Sequence, residues 1–201
     1  MGFDPFRREI GILAALPAAN IDTDVIMPKL FLKGIDRQEL DRGLFHDLRF
    51  NEQGQKRPDF VLNRAPWDKA RFLVTGPNFG CGSSREHAVW GLCQFGIRAI
   101  LGTSFAGIFF DNCARNGILA IEAEPALVDT LAGVAEAGAP ITIDLENQSI
   151  AWAGGVAGFS IDAERKSMLL HGHDPIDRTL KARERIAAFE RDYLERHPWL
   201  A

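Results

Sequence analysis

A glycine-punctuated turn between a buried strand and a helix constrains this chain more than any other feature: Asn78-Phe79-Gly80-Cys81-Gly82-Ser83-Ser84-Arg85-Glu86-His87-Ala88. Before it, Ala70-Arg71-Phe72-Leu73-Val74-Thr75 is the apolar run of a short buried strand, closed by Gly76-Pro77. After it, Ala88, Leu92 and Phe95, flanked by Val89 and Cys93, recur at helical spacing until Gly96 supplies a stop. Gly80 and Gly82 allow close approach and backbone conformations that other residues avoid. Ser83, with Glu86 three residues on, fits a capping box in which each side chain satisfies a free N–H of the first turn. A nest of N–H donors, a helix dipole and Arg85 together favour a bound anion.

Glycine and serine at such turns often serve local geometry alone. Two adjacent serines followed by Arg85 go further, since capping needs no cation and a guanidinium offers a two-point fork to a carboxylate. The spacing matches neither a phosphate-binding P-loop, which ends in Gly-Lys-Ser/Thr, nor the Gly-x-Gly-x-x-Gly dinucleotide pattern. A carboxylate ligand suits it better than a nucleotide. The same segment admits a rival, with Cys81 as nucleophile and His87 as base, but a first-turn helical His87 has no reason to point back at Cys81.

The rest of the chain alternates. A strand at 98–101 leads to Thr103-Ser104, either able to cap a helix over 105–115, which Asn116-Gly117 ends before a strand at 118–121. Pro125 opens another helix with Leu127, Leu131 and Val134 on one face and Gly138 as its stop. Segments 141–145, 149–152 and 156–161 read as a β-meander. The tail from Asp177 to Arg196 is a charged helix whose narrow stripe of Leu180, Ile186, Phe189 and Tyr193 fits docking within the chain. This alternation predicts α/β layers.

At 201 residues, one compact domain spanning 1–201 with a helical extension at about 177–197 is the natural expectation. A net charge of −4 gives no reason to expect nucleic acid or an anionic membrane as partner. No apolar run approaches the ~20 residues of a membrane span, and the first residues do not open a signal peptide, so a cytoplasmic location is expected. The cysteines are Cys81, Cys93 and Cys113, without a Cys-x-x-Cys spacing, which supports neither a disulfide framework nor a self-contained cluster site. Cys93 and Cys113 lie on apolar helical patterns and read as small core residues. His171-Gly172-His173 reads better as a helix end or surface than as a metal site.

With these residues in view, Asn78 to Ala88 resembles the signature of the swivelling domain of the aconitase superfamily, and the chain as a whole is similar to the small subunits of bacterial 3-isopropylmalate dehydratases. The resemblance extends through Asn20-Ile21-Asp22-Thr23-Asp24-Val25-Ile26-Met27-Pro28-Lys29, Gly43-Leu44-Phe45, Arg49-Phe50, Pro58 to Asn63, Thr103 to Phe109 and Asn116 to Leu119, in order. It implies a three-layer β/β/α swivelling domain of the aconitase C-terminal type. It also implies a hydro-lyase that interconverts 2-isopropylmalate and 3-isopropylmalate by dehydration and rehydration in leucine biosynthesis, active only with a separate large subunit.

In that family the large subunit carries a [4Fe–4S] cluster that acts as a Lewis acid on the substrate, so this chain itself is expected to bind no cofactor or metal. Ser83 matches the general base, workable only where surrounding N–H donors and Arg85 stabilise its alkoxide. Ser84, Arg85 and Gly82 match positions that hold a carboxylate of a small dicarboxylate substrate. Asn20, Asp22 and Asp24 are expected behind the site, holding backbone and neighbouring cations, because acidic groups would repel a dicarboxylate; as Asx turns they need no ligand. The selectivity loop falls near Lys29 to Gly34, where Leu30, Phe31 and Leu32 could meet an alkyl group.

Two departures keep the substrate open. Leu13 to Ala19 has no arginine where aconitase-like relatives contact a further carboxylate, and Leu170 to Leu180 departs from the leucine-pathway pattern. A paralogue acting on citraconate or a methylated malate, and a non-catalytic small-acid-binding module using the same anion nest, remain alternatives. One methyl group is worth only about 1–3 kcal/mol of discrimination, so the sequence does not separate the diacids.

Overall fold

The computed structural model describes residues 2–32, 40–173 and 175–200. Its strands are β1 (Arg8–Leu16), β2 (Ala70–Thr75), β3 (Ala99–Gly102), β4 (Leu119–Glu122), β5 (Pro140–Asp144), β6 (Ser149–Trp152) and β7 (Gly155–Gly158). They form one seven-stranded sheet in the order β4-β3-β2-β1-β5-β6-β7. The pairs from β1 to β4 are parallel, whereas β5 runs antiparallel to β1 and leads into the antiparallel β6 and β7. Its helices are α1 (Thr23–Ile26), α2 (Leu40–Gly43), α3 (His46–Arg49), α4 (Glu86–Phe95), α5 (Gly107–Arg115), α6 (Pro125–Glu136), α7 (Ala163–His171), α8 (Pro175–Lys181) and α9 (Arg183–Arg196).

Alternation along the central strands sends side chains into two cores. Ala14 and Leu16 of β1, Leu73 of β2 and Ile100 of β3 pack with Ala88, Val89 and Leu92 of α4 and Phe109 and Cys113 of α5. Leu13, Phe72, Val74 and Leu101 point the other way, against Val128 and Leu131 of α6 and Ile143 and Ile150 of the meander. A sheet that joins its own meander in one core must curl over itself, so the layers are helices, parallel strands and meander. The parallel strands read as near-continuous apolar runs because both faces are covered.

The predicted strand at Ala70–Thr75 forms as β2, and the meander forms as β5–β7. Gly96, in a left-handed conformation at φ 107°, ends α4. Other expectations fail for local reasons. The capping box does not form: α4 begins at Glu86 after an extended Arg85, two residues beyond Ser83, and Glu86 accepts a hydrogen bond from Asn116 Nδ2 at 2.8 Å instead. Neither Thr103 nor Ser104 caps α5, which starts at Gly107; the Ser104 hydroxyl instead accepts from the Asn78 N–H at 2.9 Å. The expected face of α6 does pack inward: Leu131 is buried and Leu127 and Val134 lean on the same core, with Val128 and Ala135 buried beside them as the helix covers β1–β3.

Helix α7, absent from the sequence reading, is capped by Asp162, whose carboxylate accepts from the N–H groups of Glu164 and Arg165, and closed by Gly172. His171 ends α7 and its ring stacks on that of His173. The expected single tail helix is two, α8 and α9, joined at Ala182. Its stripe is not buried against the described residues: α9 contains no buried residue, and Phe189 is 63% exposed.

Candidate active site

Where β2 ends, the chain passes Gly76, whose Cβ would lie 2.4 Å from the Pro17 carbonyl oxygen, so only glycine lets these segments approach. The following turn then runs between two other segments and bonds to both. On one side the Gly80 N–H donates to Ile21 O, the Thr23 N–H to Cys81 O, and the Thr23 hydroxyl to Ser83 O at 2.7 Å. On the other, Phe79 O accepts from the Ala106 N–H at 3.1 Å. Asn20 and Asn78, both left-handed at φ 58° and 57°, join side chains through Asn78 Nδ2 and Asn20 Oδ1 at 2.7 Å. Asparagine tolerates that conformation better than most residues, so these two fix the turn's entry without a ligand.

Gly80 sits under Phe109, where a Cβ would fall 2.2 Å from the ring, and Phe109 meets Phe79 edge-on at 5.4 Å. The turn is thereby clamped onto the first turn of α5. A cavity of about 130 Å³ lies between them. Gly82, Ser83, Ser84 and Arg85 line it from the turn, Gly107, Ile108 and Asn112 from α5, and Thr23 from α1. Gly82, Ser83 and Ser84 are exposed, and neither serine hydroxyl has a hydrogen-bond partner among the described residues.

Arg85 behaves differently. Its side chain is 8% exposed, and Nη1 donates to Asp24 Oδ1 at 2.5 Å and to the Met27 carbonyl at 3.3 Å. Nε and Nη2 make no hydrogen bond to the described residues, so the fork retains donors for an anion. Asp22 caps α1 by accepting from the Val25 N–H at 2.8 Å. Beside the turn, then, Asn20 bonds the Asn78 amide, Asp22 the backbone of α1 and Asp24 the Arg85 guanidinium.

The turn Lys29–Leu32 follows at once. Leu30 is 68% exposed, while Phe31 and Leu32 lean on the core, with the Phe31 ring 5.0 Å from that of His46. Lys33 and Gly34, the end of the expected selectivity loop, lie outside the described residues. Thr23, Ile108 and Asn112 line the cavity without having been singled out from the sequence; Asn112 sits on α5 with the spacing of an ordinary buried helical position.

Burial pushes the Cys93 thiol up to about 11 and that of fully buried Cys113 well above its ordinary range. No three or more His, Cys, Asp or Glu side chains gather into a metal site among the described residues. His87 packs its ring on Trp90 at 4.6 Å. No helix of the described residues is long and apolar enough to cross a membrane.

Comparison with known proteins bears on the same residues. Residues 3–126 match the aconitase C-terminal domain family, which contains the whole cavity. Small subunit 1 of 3-isopropylmalate dehydratase from Mannheimia succiniciproducens is 53% identical over 199 residues, covering 98% of both chains. The small subunit from Rhodospirillum rubrum is 53% identical over 200 residues, covering 98% of this chain and 97% of that one. A crystal structure of 3-isopropylmalate dehydratase from Methanocaldococcus jannaschii superposes with a TM-score of 0.65 at 25% identity, covering 91% of this chain and 99% of that one. With near-complete coverage at half identity, the chain belongs to the family of 3-isopropylmalate dehydratase small subunits, built on the aconitase C-terminal domain.

Proposed function

We propose that the chain is the small subunit of a hydro-lyase that interconverts 2-isopropylmalate and 3-isopropylmalate by dehydration and rehydration, in leucine biosynthesis. The observation that carries this reading is its full-length similarity to proteins of that name, together with a cavity that gathers Gly82, Ser83, Ser84 and Arg85. Ser83 removes a proton from the carbon next to the one that bears the hydroxyl. The C–H electron pair becomes the C=C bond as the C–O bond breaks, and the departing hydroxide takes a proton from solvent to leave as water. The resulting unsaturated diacid is rehydrated by the reverse steps with the hydroxyl placed on the neighbouring carbon. Ser83 suits this because its hydroxyl is exposed and unengaged, at the mouth of a cavity fed by helix N-termini and a guanidinium.

Ser84, Gly82 and the unengaged donors of Arg85 hold a substrate carboxylate. Asp24 pre-orients Arg85, Asn20 ties the turn through Asn78, and Asp22 fixes the backbone of α1 beside it. Leu30, Phe31 and Leu32 face the alkyl group. The large subunit brings the iron–sulfur cluster, and the site works in the cytoplasm at the junction of the two subunits. Co-expression with a large subunit of the same family, followed by an assay on a panel of hydroxy diacids, tests the reading. Turnover of 2-isopropylmalate above citraconate hydration supports it; turnover of citraconate or a methylmalate alone selects the paralogous activity.

A further inference from the structure

Asn112 is a polar residue without a use in the fold. It is 7% exposed, yet its side-chain amide makes no hydrogen bond to the described residues. Its backbone carbonyl is occupied, accepting from Asn116 N at 3.1 Å and Asn116 Nδ2 at 2.9 Å, so the side chain alone is spare. The amide is not among the buried polar atoms that lack a partner, so its hydrogen bonds go to whatever fills the space it faces. The amide is not sealed in: Asn112 lines the cavity that also holds Ser83, Ser84 and Arg85.

Helix geometry says where the amide lies. Side chains on a helix lean toward its N-terminus, so Asn112 covers the turn occupied by Ile108 and Phe109. That turn is the start of α5, where the first intrahelical bond is Phe110 N–H to Ala106 O at 2.9 Å. The N–H groups of Gly107, Ile108 and Phe109 therefore have no acceptor within the helix, and the positive end of its dipole faces the cavity they line. No side chain caps this terminus. Spare backbone donors, a spare amide and the spare donors of Arg85 meet in one space of about 130 Å³. That space is roomy enough for ordered water, and so for the two oxygens of a carboxylate.

We infer that Asn112 and the first turn of α5 hold a carboxylate of the hydroxy diacid, with Asn112 a further substrate-binding residue. The inference rests on the dehydratase reading and adds a second element to the carboxylate site, on a different helix from the signature turn. Its amide N–H donates to the carboxylate, which also satisfies the group that the fold leaves open.

The test uses the reconstituted two-subunit enzyme with Asn112→Ala and Asn112→Leu. Losing one hydrogen bond to a charged group should raise KM for isopropylmalate about 10- to 100-fold in both variants, with kcat within a few-fold of wild type. Leucine is close to isosteric and removes an unpaired polar group, so Asn112→Leu should melt at or above the wild-type temperature. A structural amide would behave oppositely, with a lowered melting point. KM within two-fold of wild type in Asn112→Ala, or a loss confined to kcat, overturns the assignment. An inactive wild-type complex would remove the dehydratase reading and this assignment with it; an active wild type with unaffected variants removes this assignment alone.

Discussion

Arg85 Nη1 donates to Asp24 Oδ1 at 2.5 Å, joining a guanidinium that is 8% exposed to a carboxylate that is 43% exposed. The two come from segments 61 positions apart, so this pair stitches α1 to the start of α4 while leaving part of the arginine fork unused. Asp24→Asn should raise KM and lower stability by about 1–3 kcal/mol, between the values for exposed and buried pairs because one partner is half in solvent. Arg85→Lys keeps the charge but loses the planar fork, and should raise KM while sparing much of the Asp24 contact. Steady-state kinetics of the complex beside urea unfolding of the subunit separate the two effects. An Arg85→Lys enzyme with unchanged KM and kcat would leave Ser84 and backbone donors as the carboxylate anchors.

Gly43 seats the turn expected to set substrate choice. A Cβ there would lie 2.6 Å from Phe31 Cγ and 2.7 Å from Met27 Sδ. The surrounding wall cannot yield easily: Leu44 and Phe45 are fully buried, the Phe45 N–H donates to Ile26 O, and Arg49 holds the Asp41 and Leu44 carbonyls. Phe31 must move instead. Gly43→Ala should therefore shift the ratio of kcat/KM between isopropyl- and methyl-bearing hydroxy diacids, at about 1–3 kcal/mol of overpacking. An unaltered ratio would show that the turn does not read the alkyl group.

Much of this frame is legible in the residues. β2, its Gly76 exit and the Gly96 stop follow from periodicity and glycine, because a buried strand and a helix C-terminus depend on local chemistry. The start of α4 is not local. Ser83 and Glu86 have capping-box spacing, but Thr23 and Cys81 bond the turn to α1 and hold it extended through Arg85, so the helix begins late. The Asp24 partner of Arg85 and the open amide of Asn112 are products of folding across distant segments, and no spacing within either stretch encodes them. The stripe on α9 illustrates the reverse: a sound helical pattern that stays unburied among the described residues, its aromatic rings meeting only neighbours in the same tail.

The thiols should separate by environment. Burial raises Cys93 to about 11 and Cys113 well above its usual range, whereas Cys81 lies in the turn, only partly buried. A neutral-pH alkylating reagent should modify Cys81 first, read by peptide mass spectrometry, with Cys113 protected until the chain unfolds. The sign for stability follows. Protonated Cys93 is favoured in the fold, so its contribution is complete below the ordinary thiol pKa near 9 and is lost as pH rises toward 11. Melting temperature should fall over that window, and less steeply in Cys93→Ala.

Ser83 carries the central claim, and its hydroxyl makes no hydrogen bond that the fold would miss. Turnover of 2-isopropylmalate by the reconstituted complex containing Ser83→Ala is the most direct measurement, taken beside the melting curve of the variant subunit. A general base contributes about 10²- to 10⁴-fold, so turnover should fall by at least two orders of magnitude with the melting curve and subunit association unchanged. Near-normal turnover by a correctly assembled Ser83→Ala complex would contradict the assignment and return the proton transfer to another group.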